Sequence, residues 1–374
     1  MRDLEVRNDR FEITRECMNR FYHNCGLQKP FKQVNEYSSW LIEQHGYVVE
    51  HLAQEVPNVT ADDVRHFHKQ IMSQMHIEMY MHGNICKQDA YKLTNLIETI
   101  IKPRILPEDH WPITRSLIIP PGSKYLYSKT LENPAEVNHC IECYLHTGSK
   151  GDREVRAKTE LLEQILREPA FDQLRTKEKL GYVVYTDVRP CATTYGLTIT
   201  IQSLRVPGYL ESRIELFLAA QGAALENMSE ADFETHKRSV IIKHLKKPED
   251  LAEETNQHWV QIANESYDFG ASQKDATRVG QLTKDEMIHF YSTFIAPTSA
   301  ERAKLAVHLV AQGVSANATL VEAPGQQEYT PRPSNGREIV VIQKVRDYKA
   351  GLAVSAVVRP TRQLSDFEDS NSEL

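Results

Sequence analysis

The segment Phe171-Asp-Gln-Leu-Arg175-Thr-Lys-Glu-Lys-Leu-Gly181-Tyr182 places a guanidinium and a phenol seven positions apart, with a glycine immediately before the phenol. Arginine keeps its charge at any ordinary pH and offers five donors in a planar fork; a tyrosine hydroxyl adds another. If both face one groove, they can hydrogen-bond to a peptide carbonyl and hold it against an attacking water. The residue types also allow a plainer arrangement, in which Arg175 pairs with a neighbouring carboxylate such as Glu178 and Tyr182 is half buried. Spacing alone leaves both open.

Other chemistry is poorly provided for. A zincin-type peptidase needs two His four apart on a helix with a carboxylate in the motif, and neither H-E-x-x-H nor H-x-x-E-H occurs. His45 and His51, the latter preceded by Glu50, are six positions apart, and His66 and His68 project roughly 200° apart on a helix. Cys140-Ile-Glu-Cys143 has redox or zinc spacing but falls in the alternating run from Glu136 to His146. There Ile141, Cys143 and Leu145 share one face of a strand and Cys140 takes the other, so both read as buried thiols. No G-x-S-x-G, phosphate-cradling loop or dinucleotide turn is present.

The chain of 374 residues is 41% apolar and 25% charged with a net charge of -7, an ordinary globular composition large enough for two domains. Mild acidity argues against a nucleic-acid partner, and the basic run Arg238 to Lys247 reads as a solvated helix face. No stretch approaches ~18 continuous apolar residues, so no membrane span is expected. The charged start Met1 to Arg10 lacks an apolar signal segment, and six thinly spread cysteines read as thiols; a cytoplasmic location is the expectation.

The elements that must position Arg175 and Tyr182 are legible. A capping box at Thr60 to Asp63 starts a helix to about residue 74, an alternating strand covers 76 to 82, and a helix runs from Lys87 to about Ile101. A lone strand must pair with something, so this first part is expected to be truncated or completed by another chain. Prolines 103, 107, 112, 120 and 121 mark a boundary. Beyond it the pattern predicts strands at 141–145, 182–185, 195–201 and 305–309. Helices are predicted at 155–167 (stopped by Pro169), 209–226, from the Ser229 cap to Lys247, and from the Thr283 cap to Phe294. This order implies a two-layer α+β fold with a mostly antiparallel sheet and helices on one face. The expected domains are 1–110, incomplete, and 111–360. A polar loop at 323–335 and an acidic tail at 361–374 complete the chain.

The chain resembles the C-terminal part of the insulin-degrading-enzyme (insulysin, pitrilysin-type) family of zinc metallopeptidases. The resemblance is carried by His76-Ile-Glu with His82-Gly-Asn84, by Glu168-Pro through Tyr182, by Ile201-Gln-Ser203, by Tyr209-Leu-Glu-Ser-Arg213 and by Leu282-Thr-Lys-Asp285. It implies that residues 1–110 are the later part of a third domain and 111–360 a fourth. It also implies that Arg175 and Tyr182 match the family pair that reaches toward the scissile peptide, and that zinc and the catalytic Glu belong to a first domain absent here. The expected function is the substrate-binding portion of a metalloendopeptidase. This portion would bind no cofactor itself and be inactive alone, and its partners would be a peptide substrate and a zinc-bearing N-terminal half or an intact homologue. The alternative is a noncatalytic peptide-binding or regulatory module.

Overall fold

A computed structural model describes residues 4–313 and 338–358. The expected loop at 323–335 and tail at 361–374 lie outside them. In chain order the helices are α1 (Asn8–Cys25), α2 (Pro30–Ile42), α3 (Val49–Glu55), α4 (Ala61–Ser73), α5 (Lys87–Ile101), α6 (Arg153–Ala170), α7 (Pro207–Glu226), α8 (Glu230–Leu245), α9 (Leu251–Ala263), α10 (Ala271–Gln281), α11 (Lys284–Phe294) and α12 (Val345–Ala350). The strands are β1 (Gln74–Met75), β2 (Arg104–Ile105), β3 (Lys124–Thr130), β4 (His139–Ser149), β5 (Val183–Pro190), β6 (Thr194–Ser203), β7 (Ala303–Val310) and β8 (Val340–Val341).

The chain divides into two compact units, with one break between them at Ile113/Thr114 and with segments 26–46 and 247–267 exchanged between the two stretches. One comprises the segment ending at Cys25 together with Tyr47–Ile113 and Lys247–Tyr267. The other comprises Gly26–Gly46, Thr114–Lys246 and the described residues from Asp268 onward.

The second unit is built on a six-stranded sheet of order β5-β6-β4-β7-β3-β8. The β5–β6, β6–β4 and β4–β7 pairs are antiparallel, and β3 runs parallel to β7 and β8. Alternation sends Ile141, Cys143 and Leu145 of β4 into the main core, where they meet Leu161 and Leu162 of α6, Ile214 of α7, Phe233 of α8 and Met287 of α11. Helices therefore gather on that face, as the pattern requires.

The opposite face is covered as well. Tyr37 of α2 packs at 6.0 Å between ring centroids on Tyr127 of β3, and a buried polar network fastens α2 to the sheet. Arg189 of β5 donates to Glu142 of β4 at 2.7 Å, to Asn35 at 2.5 Å and to Ser39 at 3.2 Å. Burial pushes the Glu142 carboxyl upward, opposed by Arg189. Together with the buried Val34, Leu41 and Ile42 and the Leu117 N–H on the Ile42 carbonyl at 2.7 Å, this network ties residues 26–46 to the second unit. Cys140 lies on the α2 side of β4 and Cys143 on the core side, and none of the six cysteines forms a disulfide.

The first unit is mainly helical. The Thr60 capping box forms as expected: the Asp63 N–H donates to Thr60 Oγ1 at 3.2 Å and the Thr60 N–H to Asp63 Oδ2 at 2.8 Å. The strand expected at 76–82 does not form. Ladder pairing stops at Gln74↔Arg104 and Met75↔Ile105, and an alternating pattern without a neighbouring strand has no partner for its backbone groups. Helix α9 joins this unit through the 2.8 Å contact of Thr255 Oγ1 with His82 Nδ1; just beyond it, the Tyr267 hydroxyl donates to Glu78.

Candidate functional site

The sequence marked Pro169 as a helix stop, yet α6 runs through it to Ala170 and then widens into a π-helical stretch, Phe171–Lys177. Widened turns of this kind concentrate at functional sites and relieve the register that proline disturbs. The last turn closes with the Glu178 N–H on the Gln173 carbonyl at 2.9 Å and the Leu180 N–H on the Leu174 carbonyl at 3.0 Å. Leu174 and Leu180 are buried in the core and anchor the turn from beneath.

The exit into β5 is equally constrained. Lys179 adopts φ +52°, a left-handed conformation that reverses the chain. Gly181 then presses on β6, where any Cβ would overlap the carbonyl oxygen of Gln202. The Ser203 hydroxyl donates to the Leu180 carbonyl and pins the same residues. Tyr182, leaving this fixed point, is 85% exposed.

Arg175 projects from the π-helical stretch with its guanidinium carbon 4.5 Å from the centroid of Phe171 and 5.2 Å from that of Tyr182. Phe171 is itself 42% exposed. Cation–π attraction therefore sets the arginine against two aromatic rings, with its donors left over. Among the described residues, neither the Arg175 guanidinium nor the Tyr182 hydroxyl makes a hydrogen bond to protein.

The plainer arrangement is not adopted. Glu178 is held by Arg213 of α7 through Nε at 2.6 Å and a terminal nitrogen at 2.8 Å, and by Gln173 at 2.7 Å. Partial burial would raise this carboxyl, but the hydrogen bonds from Arg213 and Gln173 hold it below its usual value. Nor is Tyr182 half buried. Residue-level reasoning missed the Phe171 ring and the Arg213 brace; an aromatic four positions before an arginine in a helix was the available signal.

The histidine pairs stand apart, as their spacing implies. His66 lies 3.0 Å from Gln70 on α4. His45 follows α2 while His51 sits on α3, so no helix carries both. Among the described residues no group of three His, Cys, Asp or Glu side chains is arranged to hold a metal ion.

Comparison with known proteins gives a consistent result. The family model for the C-terminal lobe domain 4 of PQQ synthase PqqF-like proteins matches residues 161–259, which include Arg175 and Tyr182. The chain is 31% identical over 373 aligned residues to the insulin-degrading enzyme of Homo sapiens, covering 96% of this chain and 36% of that protein. It is 31% identical over 369 residues to the A-factor-processing enzyme of Saccharomyces cerevisiae, covering 98% and 34%. It thus spans about a third of the length of the curated relatives it matches. Among solved structures, pitrilysin superposes with a TM-score of 0.75 at 18% identity, over 94% of this chain and 35% of that one. A peptidase M16 inactive domain from Pseudomonas fluorescens superposes with a TM-score of 0.55 at 14% identity, over 83% and 71%. At these identities the structural likeness concerns the fold.

Proposed function

Since the chain belongs to the insulin-degrading-enzyme group of the pitrilysin-type peptidase family, we propose that it is a noncatalytic, substrate-facing C-terminal portion of such a peptidase. The supporting observation is the exposed pair Arg175 and Tyr182, positioned by Phe171, Gly181 and the core-anchored turn, with its donors unused by the protein. In this reading the guanidinium and the phenol hydrogen-bond to the carbonyl of a bound peptide and stabilise the negative charge that develops there. Their fixed placement minimises reorganisation as that charge appears. Zinc, held by an N-terminal half that brings its own ligands, would supply an activated water. Cysteines outside disulfides fit a cytoplasmic setting.

The test is cleavage of a fluorogenic peptide by the purified chain, with and without a separately expressed zinc-bearing N-terminal half of a relative. Turnover only in the mixture supports the proposal; no turnover in the mixture despite physical association sinks it. A second reading, a peptide-binding module that acts without catalysis, would use the same exposed pair to hold a peptide. It requires saturable peptide binding by the chain alone.

A further inference from the structure

A cleft of about 370 Å³ opens between the end of α6, α7 and α8, and neither Arg175 nor Tyr182 lines it. Its volume falls in the range of small-molecule sites, ~300–1,000 Å³. The floor is apolar, formed by Leu166, Leu225, Met228 and Tyr291. The charged and titratable groups of the lining are Glu168 and Asp172, from the end of α6 and the turn after it, and His236 from α8; Gln221 of α7 adds a neutral amide.

The charges of the lining are one-sided. Asp172 pairs with Lys177 at 2.7 Å, whereas among the described residues the Glu168 carboxylate makes no hydrogen bond or ion pair. Burial holds the His236 imidazole below its usual pKa against the opposing pull of Asp232 and Glu168. At neutral pH His236 therefore adds no positive charge that would repel a cation. An alkyl or aralkyl chain on the floor would leave its head group beside Glu168, where an ammonium is attracted and a carboxylate repelled.

We propose that this cleft is a binding site for small amphiphilic amines, with the apolar chain on Leu166, Leu225 and Met228 and the ammonium at Glu168. Pro169 and Asp172, which line it, belong to the same continuous helical segment as Phe171 and Arg175, so an occupant touches the element that positions the exposed pair. The site itself stands whether or not the chain takes part in proteolysis.

Isothermal titration of the purified chain with n-octylammonium and with n-octanoate tests this. The ammonium is expected to bind at least about tenfold more tightly. Glu168→Gln, at an exposed position, brings the two affinities to within about threefold. Ala224→Phe fills the cleft from an exposed wall position of α7 and abolishes binding at unchanged melting temperature. Equal affinities in the unaltered chain, no saturable binding of the ammonium, or undiminished binding to the Ala224→Phe chain would each overturn the proposal.

Discussion

Arg213 grips Glu178 through two guanidinium nitrogens, at 2.6 and 2.8 Å, and so withholds from Arg175 the carboxylate three residues along its own chain. The pair joins α7 to the turn after α6, and its geometry is bidentate and partly buried. Replacing Arg213 with Met is expected to cost about 1–3 kcal/mol. It should also let Arg175 swing toward Glu178. Urea unfolding measures the first effect; a fall in peptide affinity larger than that of a surface control measures the second.

Tyr182→Phe removes one hydroxyl from a side chain that contacts solvent on most of its surface. Folding stability should stay within about 0.5 kcal/mol of the unaltered chain. In the reconstituted peptidase, kcat should drop by about 10- to 100-fold with KM little changed, because the hydrogen bond matters most in the transition state. Unchanged kcat would remove Tyr182 from the chemistry.

Arg175→Lys keeps the charge but loses the planar fork and its contact with two rings. We expect a loss in kcat/KM at least as large as that of Tyr182→Phe, with thermal stability nearly unaltered. Full activity of the lysine variant would mean that charge alone suffices.

Gly181→Ala should be severe, since the new methyl meets the Gln202 backbone and cannot be relieved by a side-chain rotation. A destabilisation of about 3 kcal/mol or more is expected, together with loss of the Tyr182 placement. A chain carrying Gly181→Ala that melts with the parent would show that β5 and β6 separate easily.

Acid should unfold the second unit through α7 and β7. There Lys304 is buried between Glu211 and Glu215, and Arg302 donates to Glu215 at 2.6 Å. Burial opposes both carboxylates, but Lys304 prevails and holds each down to about 2. Because the folded values lie below the unfolded ones, this stabilisation is complete above the ordinary carboxylate range. It is lost as pH falls from about 4.5 toward 2. Lys304→Met leaves the buried Glu211 and the half-buried Glu215 without their shared cation, so its acid transition should begin at a higher pH than the parent's by circular dichroism.

Local signals carried much of this structure. The Thr60–Asp63 and Thr283–Glu286 boxes set helix starts where the residues placed them, and strict alternation from Tyr195 to Ile201 marked β6. Pro169 misled because its effect depends on the next turn, which widened where a helix break was expected. The fastening of α2 to the sheet was invisible because Arg189 and Asn35 are 154 positions apart. Spacing left open whether Arg175 pairs with Glu178 or stands beside Tyr182, because the arrangement depends on a turn geometry that spacing does not encode.

The interleaving of the two units also sets a timetable for the ribosome. Helix α2 is synthesised roughly a hundred residues ahead of β4, its platform, and at ~5–20 residues per second it waits on the order of 5–20 s for that strand. Strand β7, which lies between β4 and β3, emerges later still. Until then an apolar helix face and an open sheet edge are both uncovered, so the nascent chain is a natural client for a chaperone.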